Sequence, residues 1–174
     1  SYGKTALLMQ NPRAMFVKDE LLADLEDLSR RLGIAPEDAQ EALKSAGLWH
    51  KAHSHPYDLS GGELQKAALA KLMLTGADIY LLDEPTKGMD PPAKAHLLQV
   101  LNDLRASGRS AVIVTHDLDF AAQAADRCSM MSGGKVICTE EGHSFFLENV
   151  FYTTAVNRAS GRCVTWEDAT CGGQ

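Results

Sequence analysis

Leu59-Ser60-Gly61-Gly62-Glu63, and 20 residues beyond Glu63 the run Asp83-Glu84-Pro85-Thr86, decide how this chain is read. Ser60 and Glu63 stand at the S-x-x-E spacing of a capping box, which predicts a helix from here through Thr75 with Gly76 after it. Leu64, Ala68 and Leu72 fall on its buried face. A capping box needs no glycine, however. Gly61 and Gly62 cost backbone entropy, and what they offer is close approach without a Cβ. At a helix start, with its unpaired N–H groups and positive dipole end, that suits an anion brought up against the loop. The plain alternative is a well-capped amphipathic helix. Asp83 and Glu84 close the apolar run Ile79 to Leu82, which reads as a strand. Ligands gather at the carboxyl ends of parallel strands. Adjacent carboxylates there repel each other unless a cation or proton occupies the site. They also point different ways, so one can orient Mg²⁺ while the other takes a proton from water. The alternative is an acidic turn bent by Pro85.

Outward from these two segments, the chain alternates strand and helix. Thr5 to Gln10 predicts a strand ending at Asn11-Pro12, because Pro12 disfavours helix at Asn11. Leu21, Leu22, Leu25, Leu28 and Leu32 share one helical face, with Gly33 as C-terminal cap. Pro36 opens a second helix with Ala39, Ala42, Leu43 and Ala46 inward and Gly47 after it. Residues 13–58 therefore read as a small helical subdomain, left through the loop Trp49 to Asp58. Pro91 to Ala106 is a helix with Leu97, Leu98, Leu101 and Leu104 inward, Ala111 to Val114 an apolar strand, and Leu118 to Ala125 a short helix. Continuous apolar strands between amphipathic helices predict an α/β fold whose parallel sheet is buried on both faces. Cys128 to Ser132 and Lys135 to Thr139 flank Gly133-Gly134, a two-residue hairpin turn. Ser160 to Gln174 is polar and expected to fray.

Composition narrows the function classes. The chain has 174 residues, enough for one domain with a real core. Its net charge of −6 and lack of a Lys/Arg cluster argue against nucleic acid as a partner. No apolar run approaches the ~20 residues that span a bilayer, and no signal peptide is visible. Without an initiator Met, the chain is expected to be a fragment or a processed product. Cys128, Cys138, Cys163 and Cys171 form no C-x-x-C pair and read as reduced thiols of a cytosolic protein. His50, His53 and His55 cluster, but no Cys or carboxylate stands at ligand spacing beside them, so they read as a polar loop. Asp90, before Pro91-Pro92, suits a helix N-cap. His116, beyond the strand Ala111 to Val114, is placed by the strand order at the same sheet edge as Asp83 and Glu84, where it could donate to a phosphate oxygen.

In their order and spacing, Gln10, Leu59-Ser60-Gly61-Gly62-Glu63, Asp83-Glu84, Asp90 and His116 resemble the Q-loop, signature, Walker B, D-loop and switch histidine of ABC ATPases. The resemblance covers Thr5 to Thr139. It implies part of a P-loop NTPase core plus the ABC helical subdomain: 13–58 helical, 59–139 the second half of the catalytic core, and 140–174 a C-terminal extension. It also implies roles. Gln10 would sense Mg²⁺ and the γ-phosphate. Ser60, Gly61 and Gly62, with Glu63 beside them, would contact ATP held by a second ABC domain. Asp83 would hold Mg²⁺, Glu84 would be the general base, Asp90 would lie at the dimer interface, and His116 would contact the γ-phosphate. The implied partners are that second domain and transmembrane transporter subunits, and the implied place is the inner face of the cell membrane.

Within the family, only 48 residues separate Gln10 from Leu59, which excludes the coiled-coil insertion of chromosome-maintenance ATPases. Thr86-Lys87-Gly88-Met89-Asp90 is closer to transporters than to translation-linked members, with Met89 in place of the usual Leu. Phe145-Phe146 through Phe151-Tyr152-Thr153-Thr154 to Asn157-Arg158 resembles the end of energy-coupling-factor ATPases, which drive uptake of vitamins or of cobalt and nickel. Two departures stand out. Lys66 replaces the usual Arg. More consequentially, the phosphate loop G-x-x-x-x-G-K-[ST] is not present in full. Gly3-Lys4-Thr5 supplies only its tail, and a strand rather than a helix follows. The expected protein is therefore the C-terminal two-thirds of an ABC transporter ATPase domain. The rival readings are a non-catalytic partner lending Ser60-Gly61-Gly62 to another ATPase, and a soluble ABC protein of DNA repair or translation.

Overall fold

The computed structural model describes residues 4–148, 154 and 163–165. Two compact units follow one another, the first ending at Val114 and the second starting at Thr115.

The first unit is built on a three-stranded parallel sheet of order β1-β2-β3, formed by β1 (Thr5–Leu8), β2 (Ile79–Asp83) and β3 (Ser110–Val114). Leu8 pairs with Leu82 and Asp83 with Val114, so the carboxyl ends of all three strands share one edge. Between β1 and β2 lie α1 (Leu21–Leu32), α2 (Pro36–Ser45) and α3 (Gly61–Met73). Helix α4 (Pro91–Ala106) connects β2 to β3, the crossover that a parallel pair requires. Gly33 takes the left-handed conformation at φ 71° and caps α1, and Pro36 begins α2. Leu21, Leu25, Ala39, Leu43, Leu64, Ala68 and Leu72 join α1, α2 and α3 in one core. Leu32, at the end of α1, is exposed rather than inward, because the helix stops there and its last turn outruns the packing. The loop Trp49 to Asp58 contains two 3-10 turns, Trp49–Lys51 and Pro56–Asp58.

The expectation of a sheet covered on both faces is corrected. Ala6, Leu8, Tyr80 and Leu82 are buried on one face. On the other, Leu7, Ile79, Val112 and Val114 are 51%, 40%, 56% and 55% exposed. Helix α3 packs against β1 and α4 against β3, and within the first unit this second face is left partly exposed.

The second unit contains α5 (Leu118–Ala124), the antiparallel hairpin β4 (Arg127–Ser132) and β5 (Lys135–Glu141), and α6 (Gly142–Glu148). Gly133 and Gly134 both have positive φ, 55° and 75°, as a type I′ turn requires. A register shift between Met130 and Met131 interrupts the ladder. Phe145, Phe146 and Val164 form its core, with Leu118, Cys128, Met130 and Cys138 packed around them. The two phenyl rings meet edge to face at 5.1 Å between centroids. Cys128 and Cys138 are free thiols, and burial pushes the Cys128 thiol pKa up. Most of the run Phe151 to Arg158 and most of the polar tail Ser160 to Gln174 lie outside the described residues.

Candidate functional site

Helix α3 begins with the capping box that the spacing predicts. The Glu63 backbone N–H donates to Ser60 Oγ at 3.3 Å, and the Ser60 backbone N–H donates to Glu63 Oε2 at 2.8 Å. The Ser60 backbone N–H donating to the Glu63 carboxylate, and next the Ser60 hydroxyl beside that carboxylate, hold the Glu63 carboxyl below its ordinary value of 4.5. A folded-state pKa below the unfolded one means that the box stabilises at pH above 4.5 and that its contribution fades as the carboxylate protonates. We expect Glu63→Gln to narrow the gap between urea midpoints at pH 7 and pH 4. An unchanged gap would show that the box does not sense the carboxylate.

The two glycines at this helix tip have different reasons to be there. A Cβ built on Gly62 would stand 2.6 Å from the carbonyl oxygen of Gly88, so this backbone is glycine because another backbone crosses it. A Cβ on Gly61 would meet nothing within 4 Å. Sequence reasoning assigns both to ligand approach, and at Gly62 a neighbour within the chain gives glycine a further reason. Gly61 and the exposed Ser60 are the ones left open at the tip.

Asp83 is the last residue of β2, half-buried. Glu84 follows with φ 49°, the only non-glycine residue described with positive φ. That region costs a side chain of order 1–3 kcal/mol and persists only where the surroundings enforce it. Here they do. The Glu84 backbone N–H donates to the Val114 carbonyl at 2.8 Å, and the Glu84 carbonyl accepts from Lys87 N–H at 3.2 Å. The buried Gln65 side chain, projecting from α3, donates to that same carbonyl at 3.4 Å. Helix α3 thus touches the acidic segment twice, through Gln65 and through Gly62 against Gly88. Sequence reading missed both contacts. Asp90 caps α4, its Oδ1 accepting from Ala93 N–H at 3.0 Å.

Gln10 is exposed two residues past Leu8, whose strand partner is Leu82. It therefore leaves the sheet at the edge where Asp83 ends β2. Gln10, Asp83, Glu84, Asp90 and the tip Ser60–Glu63 all belong to the first unit. His116 belongs to the second, exposed just before the helix cap Asp117. Lys4 does not open a phosphate-binding helix. Its backbone N–H donates to Asp78 Oδ2 at 2.8 Å, its carbonyl accepts from Asp78 and Ile79, and Thr5 begins β1. Gly3 lies outside the described residues. His53 pairs with Glu20 at 3.0 Å, and among the described residues no three His, Cys, Asp or Glu side chains gather closely enough to hold a metal. A cleft of about 340 Å³ opens between α2, α3 and α4, lined by Lys66, Met73, Met89 and His96 among others, and none of the predicted site residues lines it.

The profile of the ABC transporter family matches residues 3–87, which hold the tip of α3 and the acids Asp83 and Glu84. A Bacillus cereus protein named as an ABC transporter ATP-binding protein is 37% identical over 165 residues, 91% of this chain. The chain belongs to the ABC transporter ATPase family. The energy-coupling factor transporter ATP-binding protein EcfA2 of Lactobacillus delbrueckii subsp. bulgaricus is 34% identical over 77% of the chain. Among solved structures, the ATP-binding cassette MJ0796, in a dimeric post-hydrolysis state bound to ADP and Pi, is similar with a TM-score of 0.70 and 26% identity over 80% of this chain. This ABC chain spans 30% of the Bacillus cereus protein, 48% of EcfA2 and 63% of the MJ0796 chain. No helix among its described residues is long and apolar enough to cross a membrane.

Proposed function

We propose that this chain is the signature-bearing and acid-bearing portion of an ABC transporter motor that hydrolyses ATP to ADP and phosphate. The observation that carries the reading is Glu84. It is a carboxylate on a left-handed backbone, at the carboxyl edge of a parallel sheet, braced by the helix whose tip bears Ser60 and Gly61. A side chain kept in that conformation invites a functional explanation. Glu84 takes the proton of the attacking water. Asp83 fits magnesium, because this ion is held by one or two carboxylates together with phosphate oxygens and water, not by an all-protein cage. When bound, it neutralises phosphate charge. Gln10 reports on that site from the same edge. Ser60 and Gly61, open at the tip of α3, face the ATP of a second ABC domain, and Asp90 and His116 take the D-loop and switch positions. The Phe145-Phe146 run and the likeness to EcfA2 support an importer of the energy-coupling-factor type, carrying vitamins or metal ions with transmembrane subunits.

The exposed face of Leu7, Ile79, Val112 and Val114, together with Lys4 and Thr5 serving a strand, supports a site completed by further protein that brings the phosphate loop. We expect the chain alone to show no Mg²⁺-dependent ATP hydrolysis, and to gain it when joined ahead of Thr5 to a segment carrying G-x-x-x-x-G-K-[ST]. Turnover by the chain alone would refute the incomplete-site reading. Silence of the joined protein despite ATP binding would favour a non-catalytic partner.

A further inference from the structure

Asp24 and Lys71 are charged residues in the interior of the first unit, with side chains 1% and 14% exposed. Asp24 lies in the first turn of α1 and Lys71 in the last turn of α3, and they form an ion pair. Burying two charges is costly, and a pair that only filled space could be replaced by apolar residues without loss. This pair is spent on backbone instead. Asp24 Oδ1 accepts the Val17 N–H at 2.8 Å and the Lys18 N–H at 3.1 Å. Lys71 Nζ donates to Asp24 Oδ2 and to the Met15 carbonyl. The same ammonium stands 5.2 Å from the centroid of the Phe16 ring. Four consecutive residues, Met15 to Lys18, are therefore gripped from both sides.

The gripped segment leads directly from Gln10. Asn11 caps the 3-10 turn Pro12–Met15, its side chain accepting from Arg13 N–H, while Ala14 N–H donates to the Asn11 carbonyl and Phe16 N–H to the Arg13 carbonyl. Hydrogen bonds thus run without a break from Asn11 to the clamp. We propose that Asp24 and Lys71 are positioning residues that fix Gln10 relative to α3, so that the residue sensing the nucleotide and the helix bearing Ser60 keep a set register. The functional meaning rests on the role proposed above for Gln10, whereas the mechanical claim stands on the contacts alone.

The test is hydrogen exchange and NMR on the full chain without nucleotide, so failure of the ATP reading leaves its outcome unchanged. Asp24→Ala/Lys71→Met removes both charges together and leaves none buried alone. We expect the Val17 and Lys18 amides to exchange about tenfold faster or more, the scale of a lost hydrogen bond to a charged group, with α3 and β2 amides still protected. The Gln10 side-chain amide resonances should shift and broaden. Lys71→Arg, which keeps the cation, should retain wild-type protection at Val17 and Lys18 and wild-type Gln10 signals. The proposal is overturned if Val17 and Lys18 keep their protection in the double variant, or if Gln10 signals stay put while those amides open. Loss of protection throughout α3 and β2, or failure of the double variant to fold, also overturns it, because the pair is then a determinant of the fold rather than a clamp.

Discussion

Glu84→Gln, in a protein that carries a phosphate loop ahead of Thr5, should lower Mg²⁺-dependent ATP turnover by about 10²–10⁴-fold, the usual contribution of a positioned general base. The change is nearly isosteric. It keeps the backbone bonds of residue 84 to Val114, Lys87 and Gln65, which involve only main-chain atoms of Glu84. It removes the ability to accept a proton, while ATP affinity should hold or rise. Single-turnover hydrolysis beside equilibrium ATP binding separates these effects. A variant that hydrolyses at the wild-type rate would remove Glu84 from the chemistry and leave its strained backbone without a functional account.

The second large effect is expected at Gly62. Alanine there brings a Cβ to 2.6 Å from the Gly88 carbonyl oxygen, a backbone atom that cannot rotate away. Either α3 or the segment from Thr86 to Asp90 must move. Overpacking of this kind costs about 1–3 kcal/mol, visible as a lower urea midpoint. Gly61→Ala, with open space around it, should cost no more than the ordinary change at a helix start. The contrast between the two neighbours is the informative measurement. Equal stability losses would mean that the crossing of Gly62 and Gly88 is not the constraint the geometry implies.

Much of this architecture could be read from short-range spacing. Ser60 and Glu63 are three residues apart, and their reciprocal bonds follow from helix geometry. Gly33 and the pair Gly133-Gly134 announce their turns because few other residues tolerate positive φ. Tertiary contacts were less legible for a physical reason: they join residues whose separation in the chain carries no period. Gly88 explains Gly62, yet nothing local couples them. The Asp24–Lys71 pair spans 47 residues, and a charged residue in the first or last turn of a helix ordinarily signals only the helix dipole. Glu84 hides its left-handed backbone because glutamate is not a residue that advertises it. The partly exposed face of the sheet was misjudged because an apolar strand shows that it can be buried, not what buries it. Gln10, the α3 tip, Asp83-Glu84 and Asp90 all lie in one unit, and strand pairing sets Gln10 beyond the edge where Asp83 ends β2.

Glycine at position 84 would sit comfortably where glutamate does not. Such a substitution should make the molecule harder to melt while stripping it of its proton acceptor. Robustness and catalysis therefore pull in opposite directions at this position, and selection for thermal endurance alone would erase the residue on which the chemistry depends.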